Sequence, residues 1–523
     1  MSWVQRVGKY SNYVARNYKL REPKDFSNKL LEKEINNIFK NPPEILSVIG
    51  GKKHNYGNSF KEHVSPAYSH KVIHKYKYFY NNGESYSEII NSHNNAKEYW
   101  ANVTPEYKFQ IFERIADLVE NKYFYKMMAA TMVNQGKNKY EAELDCIAET
   151  VDFLRFNIQY ASSIYQKQPI SSTGEENYSQ YRPLQGKVNA ITPFNFTAIG
   201  ANLSTAPLYF GNQVFWKPSE KSLLSNWVYY NICIEAGIPS EVLNFIIMEP
   251  TRYVNHIMKN DCGGILFTGS TDAFKNIIKT VNNDKMFPRI IGETGGKNFH
   301  FIESSANIKS AAHKTFESAF NYSGQKCSAC SIVYVPENKV DSFMNHMEEK
   351  KKEFDYENYG VISEESYERV KQEIHDANKN KNLELIMGGN YSNKETYFIE
   401  PTVYKIIKDE NIPMKTKELF APILLVKPYD PKYTREEIIK CATNSDYKLT
   451  GAFFSEDRNA IDYASRDFEN SCGNFYINDK STGSVVGNQP FGGFGLSGTN
   501  DKAGDINMLY RLFNQRSIKM NKM

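Results

Sequence analysis

The sequence predicts an α/β protein built from two large units, and three observations carry that prediction. A chain of 523 residues is too long to organise around one hydrophobic core. Between residues 188 and 267, short apolar runs at 188–191, 214–216, 242–247 and 264–267 alternate with helical stretches. A second alternation runs from about Ala311 to Asn474, with strand candidates at 331–335, 423–426, 451–454 and 473–477. Strands separated by helices pair in parallel and bury both faces, so their runs are continuously apolar.

The first 21 residues carry Arg6, Lys9, Arg16, Lys19 and Arg21 with no acid before Glu22, and mix in Trp3, Val4, Val7, Tyr13 and Val14. This acid-poor, Arg-bearing character fits an organellar presequence; a basic arm kept by the mature protein fits it too. From Asn102 to about Tyr160 the apolar residues recur at helical spacing, as in Phe109, Phe112, Ile115, Ala116 and Val119, then Ile147, Val151 and Leu154, which predicts an antiparallel helical layer. The segment Phe267-Thr268-Gly269-Ser270 ends a strand and opens a helix over 271–281, with Ser270 as its N-cap. A helix start at the carboxyl end of a strand can take a pyrophosphate. Residues 481–498 are too rich in glycine and serine for an element interior and predict a shaped loop.

Composition narrows the functional classes. The 64 basic and 60 acidic residues, net +4, are interspersed, which argues against nucleic acid as a partner. The run Glu348-Glu349-Lys350-Lys351-Lys352-Glu353 reads as a solvated helix face. No stretch approaches the roughly 18 apolar residues of a membrane span, so a soluble chain with no membrane partner is expected. Seven cysteines, an odd number without scaffold spacing, fit a reducing compartment and leave thiols for chemistry.

The chemistry concentrates in three places. Gly324-Gln325-Lys326-Cys327-Ser328-Ala329-Cys330 is a small polar turn after an apolar stretch. Gly292-Glu293-Thr294-Gly295-Gly296-Lys297 places an acid before paired glycines, and Pro193-Phe194-Asn195-Phe196 lies upstream. The chain order is amide, acid, thiol. A lone cysteine is usually a small buried apolar residue, but the glycine-bearing polar turn favours Cys327 as a nucleophile. Cys330 completes a C-x-x-C that could be redox-active or half a metal site; with no second pair and no clustering expected among the ten histidines, no metal is expected. Cys330, Cys146, Cys233, Cys262, Cys441 and Cys472 are read as packing.

Together with Trp216-Lys217-Pro218-Ser219-Glu220 and Glu418-Leu419-Phe420-Ala421-Pro422, these motifs resemble, in order, those of the aldehyde dehydrogenase superfamily. The strings at 192–200, 295–301, 324–330 and 474–493 resemble its subgroup acting on glutamate semialdehyde, and the match extends from about Ser65 onward. The resemblance implies a Rossmann-type doubly wound cofactor unit from residues 1–164 and 188–298, a second α/β catalytic unit over 299–484, and an oligomerisation flap from 165–187 with 485–523. It further implies a homodimer with a small-molecule substrate. Cys327 becomes the nucleophile, Asn195 with the Cys327 N–H the oxyanion donors, and Glu293 the base. NAD is the implied cofactor: Lys217 and Glu220 near the adenosine ribose, Gly269 and Ser270 facing the pyrophosphate, Glu418 and Phe420 holding the nicotinamide ribose and ring. Glu149, Phe196, Ser328, Gly483, Ser484 and Phe491 are implied for the substrate. The expected reaction is NAD-dependent oxidation of glutamate 5-semialdehyde to glutamate in proline degradation, with another semialdehyde such as succinate semialdehyde as the alternative. The mitochondrial matrix is the expected compartment and the cytoplasm the alternative. Thr294 after the acid, Ala421 in place of glycine, and Phe494-Gly495-Leu496 depart from the family pattern.

Overall fold

The computed structural model describes residues 27–55, 59–79, 94–259, 261–281, 287–432 and 445–521. The basic segment 1–21 and Cys441 lie outside the described residues. After a helix over Asn28–Lys40 and a short strand at Glu44–Ile45 come a hairpin of β1 (Ser47–Ile49) and β2 (Lys52–His54) and the strand β3 (Val72–Tyr76). The expected helical layer follows as α1 (Pro105–Asp117), α2 (Phe124–Gln135) and α3 (Thr150–Gln166). Helix α1 begins where Thr104 accepts the Tyr107 N–H at 3.2 Å and Pro105 takes the first position, which leaves fewer orphan donors at its start. Its helical spacing buries Phe109, Phe112, Ile115 and Ala116. Phe112 stacks on Tyr209 with centroids 3.7 Å apart, and burial of such a ring contributes about 1.5–3 kcal/mol.

The chain continues through β4 (Glu175–Arg182), β5 (Lys187–Ile191), α4 (Thr197–Thr205), β6 (Val214–Lys217), α5 (Leu223–Ala236), β7 (Leu243–Phe245), β8 (Cys262–Thr268), α6 (Thr271–Val281) and β9 (Arg289–Glu293). These build a seven-stranded sheet in the order β9-β8-β5-β6-β7-β1-β2. The first five strands are parallel and the hairpin antiparallel. Every residue of β8 is buried, as a strand covered on both faces requires. The run 242–247 gives a shorter strand than predicted: Ile247 donates its N–H to the side-chain Oγ of Ser47 at 2.9 Å instead of to a backbone carbonyl of the ladder. From β5 the sheet grows through β6 to β7, then β8 is laid on the other side of β5. The strand order reverses between β5 and β8, and a crevice at their carboxyl ends is where such sheets bind ligands.

The second sheet uses β10 (Asn298–Ile302), β11 (Cys330–Pro336), β12 (Leu383–Met387), β13 (Thr402–Ile406), β14 (Ile423–Tyr429), β15 (Thr450–Phe454) and β16 (Asn474–Ile477). Their order is β12-β13-β14-β11-β10-β15-β16, parallel except for β12. Helices α7 (Ile308–Phe320) and α8 (Val340–Lys352) pack on it. Finally β17 (Asn514–Asn521) runs antiparallel to β4, Asn514 opposite Arg182 and Asn521 opposite Glu175, as a separate two-stranded ribbon. No helix among the described residues is long and apolar enough to cross a membrane.

One sequence expectation holds and one needs correction. The charge run at 348–353 is a solvated face at the end of α8 with none of its residues buried, on which Lys350 pairs with Glu317 at 3.4 Å and Lys351 with Glu400 at 2.8 Å. Histidines do meet: ligand atoms of His313 on α7 and of His346 and Glu349 on α8 lie within 4.8 Å of one another. The ammonium groups of Lys350 and Lys309 act on His313 from beside the cluster and would oppose a bound cation. Helix packing brings the two imidazoles together across 33 residues, a distance no spacing rule covers.

Candidate active site

Strand ends deliver the three groups expected to react. Glu293 is the last residue of β9, opposite Thr268 of β8. Asn195 lies in the turn between β5 and α4, and Cys327 three residues before β11. The carboxyl end of the first sheet thus faces the amino end of the second. Asn195 Nδ2 donates to Gln325 O at 3.1 Å, joining the amide turn to the thiol turn directly. Asn298 Nδ2 donates to the carbonyls of Cys327 at 2.7 Å and Ala329 at 2.9 Å. A Cβ at Gly296 would stand 2.4 Å from the Cys327 carbonyl oxygen, so only glycine lets these backbones approach.

Electrostatics separate the roles of thiol and acid. Burial pushes the Cys327 thiol pKa well above its ordinary value, and the carboxylates of Glu293 and Glu418 push it further; backbone groups at Ser328 and Cys327 oppose this. The resting sulfur is a thiol and needs a base. Burial pushes the Glu293 carboxyl up to about 7, Lys502 pulls it down, and Asp501 raises it. A carboxylate that holds a proton near neutrality can both take and return one. Glu418 is raised to about 7 by burial, opposed first by the Gly296 N–H, which its Oε1 accepts at 2.9 Å.

The glycine-rich loop closes over the acid. Gly498, at φ +139°, bridges Glu293, and a Cβ there would lie 2.2 Å from the Gly292 carbonyl oxygen. Thr294 donates its N–H to Ser497 O at 3.0 Å and its hydroxyl to Leu496 O, which gives this departure from the family pattern a purpose: it fastens the acid's strand to the loop. Lys502 Nζ holds the same loop through Gly473 O at 2.7 Å and Gly492 O at 2.8 Å. Sequence reading missed Lys502.

Of the residues expected at a dinucleotide, Lys217, Glu220, Gly269 and Ser270 stand at the carboxyl ends of β6 and β8 or just beyond them, and Glu418 and Phe420 in the segment before β14. Lys217 ends β6 fully buried, its pKa lowered by burial and raised in part by Glu220. Glu220 Oε2 accepts the Tyr78 hydroxyl at 2.5 Å and the Tyr76 hydroxyl at 3.3 Å. Sequence reading misses these two tyrosines as well, one ending β3 and the other two residues beyond it. At the end of β8, the Gly269 N–H donates to Glu293 O at 3.1 Å, and Ser270 Oγ accepts the Ala273 N–H at 3.3 Å as the expected cap of α6. Phe420 is held at φ +52° with its ring 5.8 Å from that of Phe194, edge to face; a bulky residue in this conformation is strained and needs its surroundings to hold it. A carboxylate beyond one strand, a helix start beyond another and an aromatic wall near the thiol suit a nicotinamide dinucleotide.

The expected substrate residues fall into two groups. On one side lie Phe196 and Glu149, whose carboxyl burial raises to about 8 among Asp145, Lys137 and Lys326. On the other side, Ser484 Oγ donates to Gln489 O at 2.8 Å, and the buried Tyr476 hydroxyl lies near Ser484 and within electrostatic range of Cys327. Ser328 sits buried next to the thiol, with its carbonyl accepting from Ser481 Oγ at 2.9 Å. Phe491 is fixed by paired backbone bonds with Ala503 at 2.9 and 2.8 Å, and Gly483 occupies the half-buried turn before Ser484. Cys330 is buried with its thiol donating to Ile332 O at 3.4 Å, and Cys146, Cys233, Cys262 and Cys472 are buried and form no disulfide among the described residues.

The chain matches the aldehyde dehydrogenase family over residues 52–518. It is 40% identical, over 535 aligned positions, to the mitochondrial delta-1-pyrroline-5-carboxylate dehydrogenase of Emericella nidulans, covering 98% of this chain and 92% of that protein. Its identity to the mitochondrial human enzyme of that name is 38%, covering 94% of this chain and 90% of the relative. The crystal structure of the delta-pyrroline-5-carboxylate dehydrogenase from Mycobacterium tuberculosis bound with NAD is similar at a TM-score of 0.88 and 33% identity, covering 98% and 96% of the two chains. With thiol, acid and amide all placed where the carboxyl end of one mostly parallel sheet faces the amino end of another, this chain belongs to the aldehyde dehydrogenase family.

Proposed function

We propose that this chain oxidises L-glutamate 5-semialdehyde, the open-chain form of 1-pyrroline-5-carboxylate, to L-glutamate with NAD in proline degradation. The observation that carries the chemistry is the convergence of Asn195, Glu293 and Cys327; the substrate reading is supported by relatives named for pyrroline-5-carboxylate. Glu293 takes the thiol proton, and the Cys327 sulfur bonds to the aldehyde carbon. The alkoxide that forms is held by the Cys327 N–H and by the Asn195 amide, which gives one N–H to Gln325 O and has a second for the substrate. NAD, when bound in the crevice, supplies the acceptor for the hydride of that carbon. The acyl group then remains on sulfur as a thioester; Glu293, once it has passed the first proton to solvent, activates the water that cleaves it, and a proton returned to the sulfur restores the thiol. Glu149 is the partner for the substrate ammonium, the Gly483-Ser484 turn with Ser328 receives its carboxylate, and Phe196 with Phe491 flank its methylenes.

Residues 1–164 with 188–298 would bind the cofactor, 299–484 would carry the nucleophile, and 165–187 with 485–523 would join two copies; the two sheets and the β4–β17 ribbon support this division. A mitochondrial matrix location is supported by the names of the relatives and by the basic segment 1–21. The test of the substrate reading is NADH formation with pyrroline-5-carboxylate against an aldehyde panel. A kcat/KM at least about 100-fold above that for succinate semialdehyde is expected, because a site built for an ammonium leaves Glu149 unpaired without one. Equal values would refute it. Replacing Glu220 by alanine is expected to raise KM for NAD about 10- to 100-fold, the worth of hydrogen bonds to a charged group, and to narrow discrimination against NADP; steady-state titration of both cofactors checks this.

A further inference from the structure

Beneath the site lies a buried ion pair to which the reaction scheme gives no part. Lys137 follows α2, and Asp145 lies on the helical segment Glu143–Glu149; Nζ and Oδ2 are 2.6 Å apart, with both side chains no more than 2% exposed. Such a pair adds little to stability against apolar replacements, so its other bonds deserve the question of what they hold. Asp145 Oδ2 accepts the Thr197 N–H at 2.9 Å and Oδ1 the Ala198 N–H at 2.8 Å. These are the first donors of α4, whose own N-cap residue, Phe196, offers no side-chain bond. From 52 positions away, Asp145 does the work of an N-cap and brings a negative charge to the positive end of the helix. The residue just before that clamped turn is Asn195.

Lys137 reaches the opposite wall. Its ammonium stands 4.2 Å from the ring centroid of Phe196 and 4.8 Å from that of Tyr322. Tyr322, Ser323 and Gly324 follow one another at φ +52°, +53° and +66°, a strained run that needs holding and that leads straight into Cys327. The Tyr322 hydroxyl is pinned to Gln135 O at 2.9 Å, at the end of α2. The pair therefore touches both the amide turn and the thiol turn, which meet each other through Asn195 and Gln325.

We infer that the Lys137–Asp145 pair is a positioning device that sets the Asn195 amide against the oxygen of the species bound to Cys327. The inference rests on Asn195 acting as an oxyanion donor. The test is steady-state kinetics of the full chain with pyrroline-5-carboxylate and NAD for Asp145→Asn, Asn195→Ala and the double variant. Asp145→Asn keeps volume and loses charge; it is expected to lower kcat about 10- to 100-fold, the range for misplacement of a catalytic group by an ångström, with both KM values within about threefold. In the Asn195→Ala background the same change is expected to cost less than about threefold, because two residues acting through one interaction are not additive. The combination Lys137→Met with Asp145→Leu, an apolar replacement of the pair that folds by the precedent of buried pairs, is expected to show the same loss of kcat. A full loss from Asp145→Asn on top of Asn195→Ala would overturn the inference while leaving Asn195's role intact. A loss confined to KM would move the effect to Glu149 and also overturn it. An unchanged kcat in Asn195→Ala would remove the donor role itself, and the inference with it.

Discussion

Replacing Cys327 by alanine is expected to lower NADH formation by about 10,000-fold or more, the scale on which nucleophile removal acts, while NAD binding measured by fluorescence titration stays within about threefold. The reason is chemical. An aldehyde carbon gives up hydride poorly, whereas the tetrahedral adduct with sulfur does so readily, and none of the other described cysteines can substitute. Cys330 is buried with its thiol committed to Ile332 O, and burial pushes its pKa far upward. Cofactor affinity should survive because Lys217, Glu220 and the start of α6 belong to the strand ends of the first sheet, whereas Cys327 belongs to the turn before β11 of the second. Retained turnover in the alanine variant would exclude covalent catalysis by this sulfur.

Replacing Glu293 by glutamine is expected to slow steady-state turnover about 100- to 10,000-fold, the range for a positioned base. A carboxyl raised to about 7 by burial is protonated below that pH and ionised above it, so the rate limited by water attack should rise with pH through about 7 in the native enzyme. The glutamine variant should lose this limb. Lys502 pulls the same carboxyl down, which places the limb within reach of neutral pH. A stopped-flow record with the variant should also show NADH formation stalling at one equivalent per site, because the thiol can still lose its proton slowly to solvent and form the acyl group, which then leaves more slowly without the base. An unchanged pH limb would assign it to another group.

The three reacting residues are legible in the chain because each stands in a short local pattern whose backbone must turn or approach closely. Gly296 permits contact with the Cys327 carbonyl, and Gly498 permits contact with Gly292. The parallel strands are legible for a similar reason: β8 is buried on both faces and its residues are apolar throughout. What sequence reading misses is what the fold brings from a distance. Tyr78 reaches Glu220 across 142 positions, Asp145 caps α4 across 52, and Lys502 joins Gly473 across 29. Tyr78 and Asp145 stand in no glycine-bearing turn, and a buried lysine or aspartate looks in sequence like any surface charge. His313 and His346 escape notice in the same way, being placed together by two helices packed side by side.

The most direct measurement is intact-mass and peptide-mapping analysis of the Glu293→Gln variant quenched after mixing with NAD and pyrroline-5-carboxylate. The expected result is a glutamyl thioester on Cys327, accumulating with the NADH burst and lost on treatment with hydroxylamine. Formation of NADH with no mass added to the protein, or an adduct mapped to a different residue, would contradict it.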